Sequence, residues 1–415
     1  MMMNENLIPG GGFADPHALV EGGKVYIICG SDKSPKTEDT WRMDKWCILC
    51  SEDLKEWTKV GEILPSETYI GDKDDHCWAG FNMKKNGKFY WFFSNKYIDT
   101  GVVVADQVEG PYVDLLGKPL LPEGFAPTKS YDPCVFDENG VSTIFFGAGH
   151  YCCVDLADDL MSTVGESQMV HVYDDDGNEV GTEDKSTVFK YHDKYYLCYG
   201  ARYAMSDTLK GPYKFMGRFI GGGHNDIFEF NGKMYICNEF HDTSIFYRGI
   251  RVMELNFHED GTVVIPDYDS GDIHYEKTWS FAKHDQNWFM TDMEDCTYET
   301  GAISYKLDET LGLRSPVFPG VVMPEDGTLY MTLDNMEHAS SVMVDIQTVP
   351  HTRGYWGKEY KTQTMEVALQ EGLHTYMLPV KLQHDADVLR RIALYGTKGA
   401  QGEVLKVLGF EFKIS

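Results

Sequence analysis

Positive charge is scarce in this chain. Its 415 residues carry 37 Lys and Arg against 65 Asp and Glu, a formal net charge of −28. Phosphate recognition needs a cationic face, so the balance argues against nucleic acid as a partner. It argues equally against an anionic membrane surface. The acids are spread along the whole chain, so most of them read as solubilising surface. No apolar run approaches the length of a membrane span. Met1 to Gly12 lacks the basic start and apolar stretch of a secretory leader, which points to a cytoplasmic location and leaves a trimmed secreted form open. A paired cysteine framework is missing too. Cys47-Ile48-Leu49-Cys50 has the spacing of a redox or zinc pair, but no second pair or His cluster accompanies it. The ten cysteines are scattered, and Cys29, Cys134, Cys198 and Cys237 sit inside strand-like runs. They read as core thiols of a reducing compartment.

What is present favours β-structure. Hydrophobic residues make up 42% and aromatics 13%, with 41 Gly, a balance of short strands and many turns. The length predicts two domains. Two Asp-Pro pairs organise the first. Ala14-Asp15-Pro16 leads into an apolar run, a Gly22-Gly23-Lys24 turn and the strand Val25-Tyr26-Ile27-Ile28. Tyr131-Asp132-Pro133 leads into another, a turn at Asp137-Glu138-Asn139-Gly140 and the strand Thr143-Ile144-Phe145-Phe146.

The same unit of roughly 50 residues recurs five times. The first runs from Phe13 to about Leu64 and closes at Ser51-Glu52-Asp53-Leu54-Lys55-Glu56-Trp57. The second opens at His76-Cys77-Trp78-Ala79-Gly80 and turns at Asn86-Gly87, a strong hairpin signal. The third opens at Tyr131. The fourth contains Ser186 to Gly200, and the fifth opens at Gly221-Gly222-Gly223-His224-Asn225. Five blades of about four strands predict a five-bladed β-propeller over residues 7–266. Asp15, Trp78, Asp132, the segment around Asp184 and His224 then face one shared pocket.

After Pro266 the repeat stops. Asp267 to Asp272 reads as a polar linker. Residues 275–415 alternate with no helical period, in strands such as Thr328–Leu333, Ser341–Ile346, His374–Val380, Val388–Tyr395 and Val404–Phe412. That pattern predicts a C-terminal β-sandwich. Trp279, Trp288 and Trp356 in this region would form a sugar platform or fill the core.

Asp before Pro often does no more than start a turn. Two such acids at matching positions of a repeat suggest convergence on one axis. A two-carboxylate site that splits a glycosidic bond needs one acid to protonate the leaving oxygen and one carboxylate to activate water. A third carboxylate nearby would hold the acid protonated by like-charge repulsion.

Ala14-Asp15-Pro16 with the Ser51-to-Trp57 corner, Trp78-Ala79, Tyr131-Asp132-Pro133, Gly223-His224-Asn225 and His241, in that order, resemble the blade signatures of glycoside hydrolase family 43. The resemblance covers about residues 10–265. It implies inverting hydrolysis of β-xylosides, α-L-arabinosides or related galactosides, with a plant-type oligosaccharide as substrate and exo action. By the same resemblance Asp15 is the general base, and Asp132 tunes the acid and orients the sugar. His224 stands on the axis, where some members hold a calcium ion or a water, and no other cofactor is implied. Arg251 resembles an arginine that reaches the pocket; His241 and Glu239 would stand at its rim. The fourth blade departs from the pattern. The family has a Glu followed by a small residue and Pro there, whereas counting back from Tyr195-Tyr196-Leu197 lands on Asp184 in Glu183-Asp184-Lys185-Ser186. Asp184 then acts as a shorter acid, Glu183 substitutes for it, or acid catalysis is impaired and the propeller only binds sugar. A neighbouring five-bladed family acting on fructosides or anhydro-galactosides also opens with an Asp on its first blade.

Overall fold

The computed structural model describes residues 6–33, 40–220, 223–265, 274–290, 296–351 and 360–414. Two compact units emerge. One comprises residues 1–33, 41–240 and 249–270, the other residues 34–40, 241–248 and 271–415. The expected linker at 267–272, Trp356 and the first two of the three glycines before His224 lie outside the described residues.

The first unit is built from five antiparallel sheets in chain order. The first blade is Phe13–Glu21, Lys24–Asp32, Met43–Ser51 and Thr58–Ile63. The second is Cys77–Lys85, Lys88–Asn95 and Asp99–Ala105, extended by single bridges to Val113 and Leu121. Cys134–Glu138, Val141–Ala148, His150–Leu156 and Thr163–Val170 make the third. The fourth is Ser186–Tyr191, Lys194–Tyr199, Arg202–Ser206 and Tyr213–Arg218, with Val172–Tyr173 added in parallel at its outer edge. The fifth is Asn225–Phe230, Lys233–Ser244 and Tyr247–Glu254.

Local chemistry starts each blade. Two-residue loops join the first two strands at Asn86-Gly87, Asn139-Gly140 and Asn231-Gly232, and both residues of each loop have positive φ. Asn and Gly tolerate that conformation, and its twist matches the flanking strands.

Packing then closes the ring. Successive residues of a strand point to opposite faces, so each blade feeds two cores. Tyr26 and Ile28 pack with Trp91 and Phe93 of the second blade, while Val25, Ile27 and Cys29 pack with Phe228, Cys237 and Ile250 of the fifth. Three further clusters join blades two and three, three and four, and four and five. The five innermost strands touch in the same cyclic order, the first strand lying against both the second blade's and the fifth's. This is the five-bladed propeller that the repeat predicts. Cys47 and Cys50 are buried thiols on one strand of the first blade.

The second unit carries a six-stranded and a five-stranded antiparallel sheet. Its longest strands, Gly327–Asn335, Ser341–Pro350, Gly372–Val380, Asp387–Gly396 and Val404–Ile414, contain the segments expected from alternation. Trp279 and Trp288 are fully buried in the core of this sandwich, Trp288 stacked on Phe410 at 4.4 Å. They fill the core and offer no platform to a sugar.

Candidate active site

The site rests on one repeated backbone position. In every blade the fourth residue of the second strand pairs with a residue of the innermost strand: Ile27 with Ala18, Trp91 with Asn82, Ile144 with Val135, Leu197 with Val188 and Ile236 with Ile227. Three residues before each of those stand Asp15, Ala79, Asp132, Lys185 and His224. Asp15, Asp132 and Lys185 share a left-handed backbone, with φ of 52°, 57° and 51°. That conformation is uncommon for residues other than Gly and is tolerated best by Asp and Asn. The chain therefore enters each of these blades through the same kink, and side chains from separate blades are delivered to one place.

His224 is the hub. Its Nδ1 meets Asp15 Oδ1 from the first blade, and its Nε2 lies 3.8 Å from Asp132 Oδ2 of the third. Asp15 is 1% exposed and Asp132 2%, so these are acids inside the protein. The Asp15 N–H donates to Glu239 Oε2 at 3.1 Å, and Glu239, His224 and Asp15 bring one polar atom each within 4.8 Å of one another. A Cβ on Gly223 would press on Glu239 Oε1, so a larger residue before the hub would displace that carboxylate. Asp132 is anchored at both ends: its N–H donates to Ser94 Oγ at 2.9 Å, and its Oδ2 accepts the N–H of Lys185 at 3.1 Å.

The fourth blade supplies the remaining carboxylate. Asp184 joins Asp132 and His224 in a second group of polar atoms within 4.8 Å, and unlike them it is exposed. Glu183 faces elsewhere, with Oε1 3.5 Å from Arg202 Nε. The structure thus brings Asp15, Asp132, Asp184, His224 and Glu239 together, and Glu183 is turned to Arg202.

Burial foremost, with Asp184 and Asp15 pushing the same way against the opposing His224 and Lys185, raises the Asp132 carboxyl to about 7. Burial works against a charged imidazole at His224, but Asp15, Glu239 and Asp132 outweigh it and lift that ring to about 9. A raised imidazole pKa stabilises the fold fully below the ordinary value of about 6.5, and the contribution fades as pH climbs through about 9. The melting temperature is therefore expected to fall between pH 6.5 and 9. His224→Gln should flatten that decline in a calorimetric pH series; an equally steep decline would refute the charged ring.

The remaining candidates from the sequence are Trp78, Arg251 and His241. Trp78 is half-buried one residue before the equivalent position, edge-on to the exposed Tyr97 at 6.0 Å, and its carbonyl accepts from Trp46 Nε1. Arg251 is buried, its Nε donating to Asn238 Oδ1 at 3.1 Å beneath the Phe240 ring. His241 is half-buried and belongs to the second compact unit. Sequence reading missed Lys185, His17 and Asp226. Lys185 was in reach of a strict count along the repeat; the other two have no local signal.

Comparison with known proteins agrees with this fold. The sequence matches the profile of glycosyl hydrolases family 43 over residues 5–263. An arabinoxylan arabinofuranohydrolase of Paenibacillus polymyxa is 26% identical over 324 residues, 60% of this chain and 49% of its own length. A xylosidase/arabinosidase of Bacteroides ovatus is 26% identical over 327 residues, 62% of this chain and 96% of its own. The matched stretch thus spans about half of the first of these relatives and nearly all of the second. A β-xylosidase/α-arabinofuranosidase from a compost microbial metagenome, solved with xylotriose in a calcium-free form, superposes with a TM-score of 0.57 at 24% identity. The overlap covers 63% of this chain and 96% of that one. A Bacillus subtilis arabinoxylan arabinofuranohydrolase, solved with cellotetraose, overlaps 99% of this chain and 97% of its own at 18% identity and a TM-score of 0.54. At such identities these structures speak for the fold alone.

Proposed function

Because the chain belongs to glycosyl hydrolase family 43, we propose that it removes terminal arabinose, xylose or a related galactose unit from plant oligosaccharides, inverting the anomeric carbon. The observation that carries this reading is the meeting of Asp15, Asp132 and Asp184, from three different blades, around the single ring of His224. The names of the relatives, an arabinofuranohydrolase, a xylosidase/arabinosidase and a β-D-galactofuranosidase, support the substrate class.

The chemistry follows from the residues. Asp15 takes a proton from water, and the resulting hydroxide attacks the anomeric carbon. Asp184 gives a proton to the departing glycosidic oxygen, so the bond breaks without expelling an alkoxide. Charge builds on the sugar as an oxocarbenium-like centre, and the buried carboxylates around it oppose that charge in a site of low polarity. Asp132 stands beside Asp184, one polar atom of each within 4.8 Å of the other. His224 fixes Asp15 through Nδ1. Acid, base and water suffice for this reaction, and it draws on no redox or organic cofactor.

The test is a panel of aryl α-L-arabinofuranosides, β-D-xylosides and β-D-galactofuranosides. Hydrolysis of at least one of them is expected. Silence on all, with sugar binding retained in calorimetry, would leave a propeller that binds sugar without cleaving it.

A further inference from the structure

Beneath the carboxylates, one positive charge crosses the hole of the propeller. Lys185 occupies the fourth blade's copy of the position that delivers Asp15, Asp132 and His224, yet its side chain runs inward and is buried. Its Nζ donates to His17 Nε2 on the first blade and lies 3.4 Å from the Gly80 carbonyl on the second. The innermost strand of blade four borders those of blades three and five. An ammonium that touches blades one and two from blade four must therefore stand in the central hole. The contact continues outward: His17 Nδ1 lies 3.4 Å from Asp226 Oδ2 on the fifth blade, and Asp226 also accepts the N–H groups of Ala18 and Ile227 at 2.9 Å. Burial, with Lys185 beside it, lowers the His17 pKa to about 4, so the ring is neutral and its Nε2 can accept from the ammonium.

This arrangement bears on calcium at the axis near His224. Calcium takes about six to eight oxygen ligands. Around the hole stand an ammonium without a lone pair, an imidazole whose Nε2 that ammonium already uses, and a second imidazole with Asp15 against Nδ1 and Asp132 near Nε2, while Asp132 Oδ1 and the exposed Asp184 carboxylate lie on the outer side of that ring. Glu239 Oε2 and Asp15 Oδ1 are likewise engaged within the cluster. A divalent ion placed among them would face a like charge close by in a medium that screens it poorly. At the point the Lys185 ammonium fills, one imidazole nitrogen and one carbonyl oxygen do not make a calcium shell.

We infer that the Lys185 ammonium, held by His17 and the Gly80 carbonyl on the propeller axis, is a built-in cation that takes the place of a divalent ion beneath the converging acids. The chain then folds and works without a bound metal. The inference rests on the propeller geometry and is independent of which sugar is cleaved.

The test uses the full chain and reads metal content and thermal unfolding, neither of which involves hydrolysis. Elemental analysis after dialysis against metal-free buffer should find far less than one calcium per chain. Excess EDTA and added millimolar calcium should leave the melting temperature unchanged. Lys185→Met should lower it by about 5–10 °C, because the buried His17 Nε2 and the Gly80 carbonyl lose their donor. One calcium per chain, or a fall in EDTA that calcium restores, would overturn the inference, and so would a Lys185→Met protein that melts where the parent does. If Lys185→Met does not fold, the metal content and EDTA response of the parent decide the matter.

Discussion

Asp15→Asn is expected to lower kcat on an aryl arabinofuranoside by about 10²–10⁴-fold while leaving KM within a few-fold. The substitution is nearly silent in structure. Asn accepts a hydrogen bond from His224 Nδ1 as Asp does, and it tolerates the left-handed backbone of φ 52° at this position. The N–H that donates to Glu239 is retained. The capacity to take a proton from water is lost, along with the charge that faces the His224 ring, and the first of these falls on the chemical step. A loss of less than about tenfold, well under the usual contribution of a general base, would remove Asp15 from that role. A retained cooperative melting transition, even at a lower temperature, separates this result from misfolding.

Asp184→Asn is expected to behave differently with different leaving groups. On an oligosaccharide, whose leaving alkoxide is basic, hydrolysis should drop by about 10²–10³-fold. On a nitrophenyl glycoside, whose leaving group needs little protonation, the loss should be far smaller. Glu183→Gln should change neither by much, because that side chain faces Arg202 and not the cluster around His224. If Glu183→Gln carries the leaving-group-dependent loss, the acid is Glu183. The short reach of Asp184 suits a proton donor at the mouth of the site. It stands exposed there, within 4.8 Å of Asp132, and can meet a leaving oxygen that arrives from solvent.

The repeat was legible because its signals are local. Asn86-Gly87, Asn139-Gly140 and Asn231-Gly232 announce hairpins, and the aromatic strands after them announce buried second strands; the ring follows once five such units are counted. Asp15, Asp132 and His224 were legible for the same reason, since each stands three residues before the innermost-strand residue that pairs with the fourth residue of the second strand. Trp78 reads as the head of its blade, and the ladder sets the equivalent position one residue later, at Ala79. At the fourth blade, reading for an acid found Asp184, whereas the strict count lands on Lys185. His17 and Asp226 could not be read from the chain. Their significance comes from contacts across a hole: Lys185 and His17 are 168 residues apart, and Ala18 and Asp226 are 208 apart. Glu239 reads equally as a rim residue or a structural one, and it is the acceptor that fixes the Asp15 backbone. In the sandwich, alternation showed the strands, while the burial of Trp279 and Trp288 depended on the facing Phe410.

Proton NMR of the sugar released in the first minutes of hydrolysis tests the central claim most directly. Water activated by Asp15 attacks the face opposite the bond that Asp184 protonates, so the first product must carry the anomeric configuration opposite to the substrate's. A first product with the substrate's own configuration would require a covalent intermediate on one of these carboxylates and would contradict the account.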